Sequence, residues 1–239
     1  MVVSKTPSRE LGQVNVCPMW SPERAREHLQ AFRNNITLGR PSEIERASKI
    51  LLQGSRLSDI LFLESGVVKL VRTCHQTGSK RLVSLCYPGQ IIGTTEPVTS
   101  WPHDVLAIAV TACKVYRVEA EKLRELIKSD AQAAYVIVQL QEYELNLLLA
   151  TVYQMKVLWP HERLERLFRE LAMVLNPWQT GSRKHLVIPL SSKELAELLG
   201  ISFVHLKRSL SRLERAGKVK KTTAHGIMLL NASGRAGNS

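Results

Sequence analysis

Phe203, Val204, His205, Lys207, Arg208, Ser211, Arg212 and Arg215 fall at spacings that put them on one side of a single helix. Leu206, Leu210 and Leu213, at steps of four and three, take the opposite side. Lys and Arg arranged this way suit a polyanion. They displace counterions from phosphates, and the N-terminus of such a helix in a major groove can bring Arg to a guanine edge. A solvated basic face is the plain alternative, and the distribution of charge weighs against it. The chain carries 33 Lys and Arg against 21 Asp and Glu, a net charge of +12. Residues 161–239 hold 14 of those cations and only 6 of the acids.

The elements that must present this helix are legible around it. Ser191 with Glu194 three residues on is a capping box. Leu195, Leu198 and Leu199 form the buried side of the short helix that follows, and Ala196 is small enough to let a second helix cross close above it. Gly200 suits the left-handed helix end, Ile201 the corner, and Ser202 the next cap. Gly217 stops the second helix. Val219–Thr222 and Ile227–Leu230 then flank a polar turn at His225–Gly226, a hairpin or wing. Two helices joined at a glycine corner are a helix-turn-helix.

Upstream, two periods succeed each other. From Ile50 to Val118 short apolar runs alternate with turn residues such as Gln53-Gly54-Ser55, Ser65-Gly66, Gly78-Ser79 and Pro88-Gly89-Gln90. That pattern predicts an antiparallel sandwich or barrel. Ser21-Pro22-Glu23-Arg24 predicts a short helix start before it. Ala120–Lys128 fits a short helix and Ala131–Val157 a long one without Gly or Pro. On the long helix Val138, Leu145, Leu148, Val152 and Met155 recur at three- and four-residue steps, with Gln141 interrupting. Val136, Leu140, Tyr143 and Leu147 form a second line. One line can pack on the strands; the other is expected to meet a second copy of the same helix. Trp159-Pro160 breaks it, His161–Val174 is helical again, and Val187–Leu190 is an edge-type strand.

These readings divide the α+β chain into an arm and short helix (1–47), a strand-rich domain (48–130), a long dimerisation helix (131–157) and a winged helix-turn-helix with a loose tail (158–239). The start, MVVSKTPSRELGQVNV, lacks the apolar core of a signal peptide, and no stretch is long and apolar enough to span a bilayer. Cys17, Cys74, Cys86 and Cys113 lie far apart with no metal-finger spacing. A cytoplasmic protein with reduced thiols, no metal site and no membrane partner is expected. No P-loop, G-x-S-x-G, H-E-x-x-H or dinucleotide fingerprint appears, and Glu64-Ser65-Gly66 reads as a strand turn, so no catalytic residue is assigned.

From about Lys49 to Leu230 the chain resembles the Crp/Fnr family of bacterial transcription regulators. The resemblance rests on ILFLESGVVKLVR (60–72), LVSLCYPGQIIG (82–93), TACKVYRV (111–118), and VIPLSSKELAELLGIS followed by LKRSLSRLERAGKV. It implies a cyclic-nucleotide-binding-like β-roll, a long dimer helix and a winged helix, acting as a homodimer on a two-fold related double-stranded operator, with RNA polymerase as a further partner. Many members open the recognition helix with an Arg-Glu pair and continue to an Arg. Here Phe203 and Val204 hold the pair and Arg208 matches the later Arg. Arg208 is therefore assigned to a base, as a guanine reader, Val204 is suited to a thymine methyl, and Lys207, His205 and Phe203 complete the base-reading set. Ser202, Lys193, Arg212, Lys218, Lys220 and Lys221 are assigned to phosphates, which position without specifying. Ser209 stands where the family usually has an apolar residue.

The family's effector pocket maps to Gly93, Thr94, Thr95, His103 and Asp104. Cyclic-nucleotide-binding members have Gly-Glu and then an Arg-Ser or Arg-Thr pair there. Thr94 replaces the Glu, and His103-Asp104 replaces the pair. A phosphate site without Arg and facing Asp104 is electrostatically poor, so no tight cAMP or cGMP binding is expected. Cys17 alone does not supply an iron-sulfur ligand set; Cys74-His75 and His103 are residue types that can ligate haem, but Cys74-His75 reads as a loop between strands, and haem is not expected. The alternative reading is a ligand-sensing β-roll that acts through protein partners, with non-specific DNA binding at its basic end.

Overall fold

The computed structural model describes residues 20–36, 39–54, 59–92, 105–175, 185–221 and 227–230. The chain opens with helix α1 (Pro22–Asn35), capped by the Ser21 side chain accepting from the Arg24 amide, with Pro22 in the first turn. Eight strands follow: β1 (Ser42–Ile44), β2 (Lys49–Leu51), β3 (Asp59–Ser65), β4 (Val68–Thr73), β5 (Lys80–Cys86), β6 (Ile91–Ile92), β7 (Leu106–Ala109) and β8 (Cys113–Glu119). They form two four-stranded sheets, ordered β1-β8-β3-β6 and β2-β7-β4-β5, and every described pairing is antiparallel. This is the expected β-roll.

The run Ile60-Leu61-Phe62-Leu63 is continuously apolar because β3 is covered on both sides. Leu61 and Leu63 point between the sheets, among Leu51, Val68, Ile92 and Val115. Ile60 and Phe62 point outward, under α1 and the long helix, where the Phe32 and Phe62 rings stack at 4.2 Å. Each fully buried Leu or Phe here contributes roughly 1.5–3 kcal/mol. Two glycines are dictated by close approach. A Cβ on Gly66, at φ +95°, would lie 2.5 Å from the Ala112 carbonyl oxygen. One on Gly89 would lie 2.7 Å from Cα of Ala25, where the β5–β6 turn meets α1. The Trp20 indole N–H donates to the Pro88 carbonyl at 2.8 Å and ties the same junction.

The roll starts earlier than its apolar runs. Ser42–Ile44, within the segment assigned to the arm, pairs along β8. This strand is only three residues long and half exposed, so its stability comes from the ladder and not from an apolar pattern.

The helical part begins with α2 (Ala120–Ser129) and the long α3 (Ala131–Val157), whose N-cap Asp130 accepts from the amides of Gln132 and Ala133. Then comes α4 (Pro160–Leu175), with Pro160 as its first residue and not merely a break. The C-terminal unit consists of β9 (His185–Ile188), α5 (Ser192–Leu199), α6 (Phe203–Arg215), β10 (Val219–Lys221) and β11 (Ile227–Leu230). Its sheet runs β10-β11-β9, so β9 is an edge strand beside the wing. It begins two residues before the expected Val187 and ends before Leu190, whose side chain turns into the core. The polar turn at His225–Gly226 lies outside the described residues, as does Cys17.

Candidate nucleic-acid interface

The helix pair is built as its local signals require. The Ser191–Glu194 capping box is closed in both directions: the Glu194 amide donates to the Ser191 hydroxyl at 3.3 Å, and the Ser191 amide to the Glu194 carboxylate at 2.8 Å. Gly200 ends α5 in the left-handed conformation, at φ 62°. Ser202 caps α6 by accepting from the His205 amide at 3.3 Å. Leu195, Leu199, Leu206, Leu210 and Leu213 are buried against Leu164, Phe168 and Leu171 of α4. Ser209 is buried among them, and its hydroxyl donates to the His205 carbonyl at 2.9 Å, which satisfies an otherwise costly polar group.

The outer side of α6 is the side expected. Phe203, Val204, His205, Lys207, Arg208, Arg212 and Arg215 are exposed, Ser211 is half-buried, and Ser202 and Lys193 are exposed beside them. Four of the five base-reading candidates pair up along two rows, Phe203 with Lys207 and Val204 with Arg208, each one helical step of four residues long. The phosphate candidates on the wing, Lys218, Lys220 and Lys221, are exposed too. Two of them have acidic neighbours that sequence reading missed. Lys218 Nζ lies 2.5 Å from Glu165, and Lys221 Nζ 3.2 Å from Glu214. Pairs this exposed contribute little, so phosphate oxygens can compete for both ammonium groups.

The winged unit is docked on the roll, which no local pattern announced. Lys69 of β4 pairs with Glu194 at 2.6 Å. Glu197 accepts from the Leu82 amide at 3.1 Å and from the Arg81 guanidinium at 3.3 Å. Burial pushes the Glu194 carboxyl up, but the Lys69 and Ser191 contacts outweigh it and leave the pKa below the ordinary value. Under these pairs Leu82, Leu85, Tyr87 and Val110 of the roll share one apolar cluster with Leu195, Ala196 and Leu199. This docking leaves Phe203, Val204, His205, Lys207, Arg208, Arg212 and Arg215 of α6 exposed.

On α3, Val136, Ile137, Leu140 and Tyr143 are buried against the roll and α1. Val138, Leu145, Leu148, Val152 and Met155, the expected dimer line, are 44–61% exposed in the single chain. Val138, Leu145 and Val152 sit at heptad steps, with Gln141, Leu148 and Met155 at the complementary positions of a coiled-coil seam.

A cavity of about 340 Å³ lies where the roll, α3, α4 and α5 meet, among Glu144, Thr151, Arg163, Glu170, Leu147 and Leu198. Glu144 accepts from the Ile91 amide at 2.8 Å. Burial pushes its carboxyl up to about 7 against that bond. Burial likewise pushes Glu170 up to about 7, against the pull of Arg166. Nε of Arg163 is buried with no hydrogen-bond partner among the described residues. Gly93, Thr94, Thr95, His103 and Asp104, the sequence-based effector pocket, lie outside the described residues. Cys74 is exposed in the loop between β4 and β5, and no group of His, Cys, Asp or Glu among the described residues is placed to hold a metal ion.

Glu144 and Glu170 give this junction a pH dependence. Each folded-state carboxyl keeps its proton up to about pH 7, whereas in the unfolded chain it releases it near the ordinary 4.5. The folded chain binds more protons in that window, so stability falls as pH rises through it and levels off above 7. Between pH 5.5 and 7.5 each is expected to contribute a loss of about 1–2 kcal/mol. Urea unfolding at the two pH values should show a smaller difference in Glu144→Gln and in Glu170→Gln than in the parent. An unchanged difference in both would remove these carboxyls as its source.

Among the described residues no helix is long and apolar enough to cross a membrane. Residues 41–130 match the cyclic nucleotide-binding domain family, and residues 162–234 match the Crp-like helix-turn-helix domain family. The chain is 22% identical over 196 residues to the nitrogen fixation regulation protein FixK of Azorhizobium caulinodans, covering 82% of this chain and 77% of that one. Among solved structures it is similar to a transcriptional regulator of the CRP family from Thermus thermophilus, with a TM-score of 0.63 at 19% identity over 80% of this chain and 93% of that one. It is also similar to FixK2 from Bradyrhizobium japonicum, with a TM-score of 0.59 at 18% identity over 82% and 94% of the two chains.

Proposed function

The chain belongs to the Crp/Fnr family of DNA-binding transcription regulators, and on that premise we propose that it acts as a homodimer on a two-fold related DNA site. The observation that carries this reading is the outer side of α6: exposed, basic and capped by Ser202, while α5 is docked on the roll. In this reading α6 lies in the major groove and Arg208 takes guanine, with Lys207 and His205 beside it. Ser202, Lys193, Arg212, Lys218, Lys220 and Lys221 hold phosphates. Pairing of the exposed α3 lines brings two α6 helices to half-sites about one helical turn apart. RNA polymerase is the further partner that transcription regulation implies, and the chain acts in the cytoplasm without catalysing a reaction.

A signal acts, in this reading, at the cavity between the roll and the helices. Its walls belong to both the roll and the winged unit, so a ligand there binds one docking geometry better than another, which is what a shift of orientation requires. A cyclic nucleotide is not assigned to this cavity: its lining sets Glu144 and Glu170 beside Arg163 and Arg166, and the residues with which the resembled family holds that ligand are replaced at the matching positions of the sequence. An uncharged or weakly polar molecule that offers an acceptor to Nε of Arg163 fits better. No iron-sulfur cluster or haem is required in this scheme.

Selection of bound duplexes from a random DNA pool by the purified chain tests the proposal. A two-fold symmetric consensus is expected. Salt-sensitive binding with no enriched sequence, with and without cell extract, would leave the reading in which the roll acts through protein partners.

A further inference from the structure

α6 carries an apolar tip. Phe203 and Val204, its first two residues, are 48% and 57% exposed, while Leu206, Leu210 and Leu213 of the same helix are buried. Adjacent exposed Phe and Val side chains form a small apolar patch, and covering it with an apolar group would be favourable. The two are not isolated. Lys207 Nζ lies 4.8 Å from the centroid of the Phe203 ring, over its face, and the same four-residue step relates Val204 to Arg208. Helical side chains lean toward the N-terminus, so each cation reaches forward beside its apolar partner. The result is a patch of four side chains, apolar at the leading edge and cationic one turn behind. The surrounding charge selects its occupant. Residues 161–239 carry 14 Lys and Arg against 6 acids, which suits a polyanion and not an apolar protein surface.

In a major groove the leading residues of a recognition helix meet base edges. Most of those edges are hydrogen-bond donors and acceptors. Phe203 and Val204 would strip water from them and return nothing, which is costly. One edge feature is apolar, the methyl group at C5 of a pyrimidine. Resting on the reading of α6 as the DNA-reading helix, we propose that Phe203 and Val204 select C5-methylated pyrimidines, with Lys207 held on the Phe203 ring and Arg208 reading the neighbouring guanine. Phe203 and Val204 are thereby specificity-determining residues, and they take the place of the charged pair with which the resembled family opens this helix. Thymine supplies the methyl in ordinary DNA and 5-methylcytosine supplies it in modified DNA.

The test uses the full chain and the duplex that selection enriches, resynthesised with each thymine in turn replaced by deoxyuridine. Uracil pairs as thymine does and lacks only the methyl. At one or two positions per half-site the replacement should weaken binding about fourfold, the value of one buried methyl. Val204→Ala and Phe203→Ala should weaken binding to the thymine duplex by a similar factor and be indifferent to uracil at those positions. Both residues are exposed, so the variants should retain the parent circular dichroism. Replacing the sensitive pair with 5-methylcytosine·guanine should bind more tightly than cytosine·guanine, which supports recognition of the methyl itself; equal binding of those two duplexes would overturn the extension to modified DNA. Specific binding that is untouched by uracil at every thymine overturns the inference and leaves the DNA-binding function standing. Failure to enrich any duplex overturns both.

Discussion

Arg208→Ala will lower affinity for the selected operator about 5- to 150-fold, about 1–3 kcal/mol, and leave binding to random DNA nearly unchanged. Arg208 is exposed on the outer side of α6, one turn behind Val204, and its guanidinium presents two parallel donors that match O6 and N7 of guanine. Among the base edges that pair of acceptors belongs to guanine, so a guanidinium held there reads sequence, whereas one forked onto a phosphate does not. Removing it should therefore relax choice at one base pair per half-site and leave the dependence of binding on salt unaltered. A phosphate contact behaves differently: it weakens all sequences alike and lowers the salt slope by about one. Competition between operator and random duplex at several salt concentrations separates the two. Equal losses on both DNAs would reassign Arg208 to a phosphate. Arg212, further along the same side, should show the uniform loss.

The second large effect is expected on α3. Leu145→Glu combined with Val152→Glu should convert the protein to a monomer and reduce operator binding about 100-fold or more. Both side chains are exposed in the single chain and both lie on the heptad seam with Val138, Leu148 and Met155. A two-fold interface meets each substitution twice, so four carboxylates would enter an apolar seam. The loss on DNA follows without any change to α6, because two linked half-site contacts become two independent ones. Sedimentation reads the oligomeric state, and circular dichroism should be unchanged, since the buried side of the helix, Val136, Ile137 and Leu140, is intact. A variant that remains dimeric and binds as before would place the dimer contact elsewhere.

Much of the fold is written locally. Ser21-Pro22, Asp130, the Ser191–Glu194 box, Gly200 and Ser202 each mark a helix end because the groups they satisfy lie within four residues. The period of apolar residues places the strands of the roll and the two sides of α3 and α6, since burial on one face requires that spacing. The residues of the candidate interface are legible for the same reason: once Leu206, Leu210 and Leu213 are assigned inward, the outward set follows.

What only folding brings together are pairs far apart in the chain. Ser42–Ile44 becomes a strand because β8, distant in sequence, offers it a ladder. Glu194 is already explained by its cap, so its contact with Lys69, 125 residues away, leaves no trace in the local pattern. Glu197 reads as a solvated helix residue until β5 supplies the Leu82 amide. Glu144 and Glu170 look like ordinary surface acids on their own helices; packing of α3 and α4 around one cavity raises both carboxyls. Local rules fix where a residue faces, and the choice of its distant partner depends on how whole layers dock, which short-range spacing does not encode.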